Sequence, residues 1–101
     1  MNEKFVSFKL GSRHLDALRA VDANVSTALR RLAHEWSAAM PTLPADDVRR
    51  VGRAGGGRLR GMNQRMGDSL RHVLTLAGDG NLSAGVRRLA LWSAQRQAVT
   101  P

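Results

Sequence analysis

A ten-residue pattern occurs twice in this chain, and the duplication restricts the fold more than any other feature of the sequence. Asn24-Val25-Ser26-Thr27-Ala28-Leu29-Arg30-Arg31-Leu32-Ala33 aligns without a gap on Asn81-Leu82-Ser83-Ala84-Gly85-Val86-Arg87-Arg88-Leu89-Ala90. Upstream, Met62-Asn63-Gln64-Arg65-Met66 stands where Val6-Ser7-Phe8-Lys9-Leu10 stands in the first half. Arg13-His14-Leu15 matches Arg71-His72-Val73 one residue out of step, as expected if the second short helix is trimmed at Gly78-Asp79-Gly80. Units this small cannot bury an apolar face alone, so the two copies are expected to share one core.

Each copy reads as strand, short helix, longer helix. Residues 4–10 alternate Val6, Phe8 and Leu10 with Phe5, Ser7 and Lys9, the period of a strand with one buried face. Gly11 and Ser12 break that period, and Ser12 suits the cap of a helix carrying Leu15, Leu18 and Val21 and ending near Asp22 and Ala23. Asn24 suits the cap of the next helix. There Val25, Ala28, Leu29, Leu32, Ala33 and Trp36 recur at helical spacing, and Pro41 and Pro44 end the element. A helix of one to two turns is expected from Pro44, with Asp46 and Asp47 favoured in its first turn and Val48 and Val51 on one side. Gly52 to Gly61 reads as a connector, within a stretch from Arg49 to Arg65 that holds six Arg and no acid.

A lone strand of this length leaves its backbone donors and acceptors unpaired. Pairing residues 4–10 with residues 60–66 solves this. The helices can then pack beneath the ribbon and bury Val6, Phe8, Leu10, Leu29, Leu32 and Trp36 with Met62, Met66, Val86 and Leu89. The expected class is mainly α with a short antiparallel β-ribbon. Residues 1–40 form the first unit, 41–57 a short helix and Gly/Arg-rich linker, and 58–101 a second, more divergent unit. The divergence is visible at Gln64, where an inward apolar residue is expected, and at Gly85, which interrupts the helical pattern.

Fourteen Arg and two Lys oppose eight acids, a net charge of +8, so an anionic partner is expected. The planar Arg fork suits phosphate and the guanine edge. No apolar run approaches a spanning helix, and Glu3 and Lys4 precede only a short apolar stretch, so neither membrane nor secretory signal is expected and the location is read as cytoplasmic. Cysteine is absent, and His14, His34 and His72 lack ligand spacing, which favours solvated or capping histidines over a metal and implies no cofactor. No nucleophile motif, Walker A sequence or paired carboxylates occur. Gly55-Gly56-Gly57 lacks the Lys-Ser/Thr of a phosphate loop, so a non-enzymatic role is expected.

The run VSFKL-GS-RHLDALRAV-DANVSTALRRLAHEW resembles the ribbon-helix-helix family of bacterial and phage repressors, the Arc, MetJ and CopG type. Residues 4–38 carry the pattern, and the duplication makes the chain similar to the tandem ribbon-helix-helix accessory proteins of plasmid conjugation. The resemblance implies a pseudo-dimer that binds double-stranded DNA by sequence, placing a β-ribbon in the major groove and a phosphate at the N-terminus of each second helix. It makes Ser7, Lys9, Asn63 and Arg65, with Phe5, the base readers. The amides around Asn24, Val25 and Ser26 and around Asn81, Leu82 and Ser83 become phosphate clamps, joined by Arg58 and Arg60.

Plainer roles exist for the same residues. Ser7 and Lys9 suit any solvent-facing strand, Asn24 and Asn81 are caps in either case, and Arg30-Arg31 and Arg87-Arg88 read as solvated helix faces. Trp36 and Trp92 read as core or interface anchors. Three functions follow from the pattern: a transcriptional repressor or relaxosome accessory factor with a relaxase partner, an antitoxin whose C-terminal half binds a toxin, or a helical adaptor that self-associates.

Overall fold

A computed structural model describes residues 4–45 and 59–99. The elements run β1 (Lys4–Leu10), α1 (Ser12–Val21), α2 (Val25–Ala39), β2 (Arg60–Met66), α3 (Asp68–Ala77) and α4 (Leu82–Val99), so the order strand, helix, helix occurs twice. The helix expected from Pro44, with Asp46, Asp47, Val48 and Val51, lies outside the described residues, as does the linker through Arg58. β2 spans residues 60–66 as expected, so Arg60 and Gly61, where the connector and strand readings overlapped, belong to the strand.

The strands pair antiparallel within the chain, from Lys4 opposite Met66 to Leu10 opposite Arg60, with Ser7 opposite Asn63 in the middle. Alternation does the sorting. Phe8, Leu10 and Met66 are buried, Val6, Met62 and Gln64 are half-buried, and Phe5, Ser7, Lys9, Gly61, Asn63 and Arg65 are exposed. Gln64 sits opposite Val6 without any slip of register, at a position that does not fully withdraw its amide from water.

Two expectations about the short helices are corrected. The residue preceding α1 is Gly11, and Ser12 is already helical. The imidazole of His14 replaces a hydroxyl cap: it is 2% exposed, and its Nδ1 accepts from the Gly11 N–H at 2.8 Å. Nor is the second short helix trimmed. Both α1 and α3 have ten residues, and the turn from Gly78 to Asn81 absorbs the extra residue. Counting from each helix start, His14 corresponds to Leu70 and Leu18 to Leu74; the match of Arg13-His14-Leu15 to Arg71-His72-Val73 is not the structural one. Leu18 and Leu74 are both fully buried.

The longer helices make the core. α4 packs against β1, α1, α2 and α3, and α2 reaches α1 and α3. Leu29, Leu32, Trp36, Val86, Leu89 and Ala90 meet Phe8, Leu10 and Met66 beneath the ribbon. Trp36 Nε1 donates to the Pro41 carbonyl at 2.9 Å, after Met40 has ended α2 in the left-handed region at φ 47°. Trp92 is only partly buried, with the Arg96 guanidinium 4.5 Å from its ring centre.

Gly85 does not interrupt α4. A Cβ there would lie 1.8 Å from the Leu74 carbonyl oxygen, and one at Gly78 would lie 1.9 Å from that of Asn81. The two glycines let the end of α3 and the start of α4 touch backbone to backbone.

The first Arg-Arg pair lies on a solvated face as expected, and the second does not. Arg31 donates to the Val21 carbonyl and Arg88 to the Ala77 carbonyl, so the second Arg of each pair caps the last residue of the preceding short helix. Arg30 and Arg31 stay exposed, whereas Arg87 is 6% exposed and donates to the Lys9 carbonyl at 2.8 Å. Arg88 also donates to the carbonyls of Pro44 and Leu43, fastening the chain after α2 to the second half.

Candidate nucleic-acid interface

The ribbon presents one continuous outward face because side chains alternate across a strand. By register that face consists of three cross-strand pairs: Phe5 with Arg65, Ser7 with Asn63, and Lys9 with Gly61. All five expected base-reading residues therefore lie together and exposed. Gly61 is a sixth position, which the alternation of β2 marks.

The three pairs differ in chemistry. In the middle, Ser7 Oγ donates to Asn63 Oδ1 at 2.5 Å, which orients the amide and leaves its NH₂ as a donor. At one end the Arg65 guanidinium lies 5.1 Å from the centre of the Phe5 ring. At the other, Lys9 faces a residue without a side chain. Arg60, expected at a phosphate, is exposed at the start of β2; Arg58 lies outside the described residues.

The starts of α2 and α4 are built alike. Asn24 Oδ1 accepts from the Thr27 N–H at 3.2 Å, and Asn81 Oδ1 accepts from that of Ala84 at 3.1 Å. The helical ladder begins one residue later, with Ala28 donating to the Asn24 carbonyl and Gly85 to the Asn81 carbonyl. Amides of Val25 and Ser26, and of Leu82 and Ser83, precede that ladder in each first turn, where the helix dipole favours an anion. Asn24 and Asn81 themselves are less suited as clamps than expected. The Asn24 N–H already donates to Asp22 Oδ1 at 2.8 Å, and that of Asn81 to the Gly78 carbonyl at 3.2 Å.

One helix start is tied directly to the ribbon. Lys9 N–H donates to Ser83 Oγ at 3.3 Å, and Arg87 donates to the Lys9 carbonyl at 2.8 Å, so β1 is joined to the first two turns of α4. In the first half Ser26 Oγ instead accepts from Arg30 at 2.9 Å. Among the described residues no helix is long and apolar enough to cross a membrane. No family model, curated protein or solved structure matches the chain.

Proposed function

We propose that this chain binds double-stranded DNA by sequence, as a ribbon-helix-helix pseudo-dimer contained in one polypeptide, and acts as a transcriptional repressor or a relaxosome accessory factor. The observation that carries the reading is the exposed ribbon face, on which Lys9, Asn63 and Arg65 stand within one two-stranded element narrow enough for the major groove. Lys9 and Arg65 suit guanine O6 and N7. Asn63, steadied by Ser7, suits adenine.

Supporting the pseudo-dimer, the middle pair joins residues 56 apart, and strand and short helix recur at that same spacing. A twofold relating the halves would pass between Ser7 and Asn63 and carry the start of α2 onto the start of α4. A net charge of +8 supplies the attraction to phosphate that any such complex needs. The antitoxin alternative receives less support, because β2, α3 and α4 complete the ribbon and core that the first half begins.

The test is selection from a random duplex pool, followed by titration of the enriched sequence. Wild-type protein should prefer the selected duplex to random DNA. The double variant Lys9→Ala, Arg65→Ala should lose most of that preference while keeping its affinity for random duplex. Equal loss on both would show that these side chains do not read bases, and failure to enrich any sequence would reject the reading.

A further inference from the structure

We infer that Phe5 and Arg65 together read a 5-methylpyrimidine beside a guanine in the major groove, so that one end of the ribbon responds to a single methyl group. This rests on the DNA-binding reading above. Phe5 is 71% exposed, more than Met40, Leu59 or Leu76. Isolated apolar residues are ordinary on protein surfaces, and exposure alone would carry nothing. What distinguishes Phe5 is its place on the outward ribbon face, directly opposite Arg65 and with that guanidinium 5.1 Å from its ring centre. The ring restrains a side chain that would otherwise sample many rotamers, and it presents an apolar edge next to a forked donor.

The major groove offers the complementary pair. Guanine displays O6 and N7, which a guanidinium takes bidentately, and thymine displays a methyl group at C5 that takes apolar contact. Successive base pairs rise about 3.4 Å, so a ring and a guanidinium at this separation span neighbouring steps. The same methyl group is carried by 5-methylcytosine.

The opposite end lacks this chemistry. Lys9 faces Gly61, where a Cβ would meet nothing within 4 Å. The methyl requirement therefore falls on one half of the site.

The experiment uses the full chain and the selected duplex. Each thymine is replaced in turn by deoxyuridine, which removes the methyl group and keeps the pairing. Each cytosine preceding a guanine is replaced by 5-methylcytosine. One position should respond, adjacent to the guanine whose recognition depends on Arg65. If it holds thymine, uracil should weaken binding about 4-fold, the loss for one buried methyl-sized group; if it holds cytosine, methylation should tighten binding by a similar factor. Phe5→Ala, at an exposed position that does not support the core, should abolish the response. Gly61→Phe should create a second methyl-sensitive position in the other half-site. Binding that ignores every methyl change, or that responds equally in wild type and Phe5→Ala, overturns the inference while leaving DNA binding intact. Absence of any salt-sensitive duplex binding would instead remove the reading on which it rests.

Discussion

Replacing Gly85 by Ala sets two physical effects against each other, and the structure decides between them. In an exposed helix interior the change stabilises by about 1 kcal/mol, because Ala loses less backbone entropy than Gly. Here the added methyl would lie 1.8 Å from the Leu74 carbonyl oxygen and 2.8 Å from its carbon. Ordinary contact begins at 3.4 Å, so α3 and α4 must separate by more than an ångström. Overpacking of this kind costs about 1–3 kcal/mol, and the upper end applies because the obstacle is backbone, which cannot swing aside as a side chain does. Leu74, Val86 and Leu89, all fully buried, would lose contact in the same displacement. The expected net loss is about 2 kcal/mol, a fall of roughly 8–16 °C in Tm for a domain of this size. Thermal unfolding followed by circular dichroism measures it, with Gly61→Ala as the control, since a Cβ there meets nothing within 4 Å. A Gly85→Ala Tm equal to or above wild type would refute the close-approach argument.

Three further outcomes follow from the same geometry. Arg88→Met removes donors to the carbonyls of Leu43, Pro44 and Ala77 from a side chain 21% exposed and should cost about 2–3 kcal/mol, whereas Arg31→Met, at a side chain 56% exposed, should cost under about 1 kcal/mol; urea unfolding of both distinguishes them. Asn24→Ala and Asn81→Ala each remove a side-chain cap and should lower stability by about 1 kcal/mol in chemical denaturation. The logarithm of the affinity for duplex DNA should fall linearly with the logarithm of salt concentration, with a slope near 0.9 per phosphate engaged, and a flat response in fluorescence anisotropy would contradict phosphate anchoring.

The alternation in residues 4–10 and the helical spacing from Val25 to Trp36 made β1 and α2 legible, since each pattern has one physical reading at that length. The duplication then pointed to β2, which its own residues barely support: Gly61, Asn63 and Gln64 are poor strand formers, and pairing with β1 decides their conformation. The features that sequence reading missed depend on distances between elements. Gly85 looks like a flaw until Leu74 is brought against it, and Arg87 looks solvated until β1 supplies a carbonyl for it. A capping role for His14 was open from the sequence, but its burial and its bond to the Gly11 N–H, two residues past the more familiar cap chemistry of Ser12, emerge only from packing. The outward ribbon residues were legible from alternation alone. Their partners across the ribbon were not, because Phe5 could be matched with Arg65 only once the register was known.

Because β1 and β2 belong to one polypeptide, ribbon formation is a unimolecular event. Where a ribbon needs two chains, dilution separates its strands and every measured affinity contains an assembly step. Here one chain, through α1 and α2, joins β1 to β2, so their pairing does not depend on protein concentration. Occupancy of a site would then rise with the first power of chain number rather than its square, and a few copies in a cell would remain competent to bind. The same covalent connection frees the two strands from sharing one sequence, so each can diverge without giving up its partner.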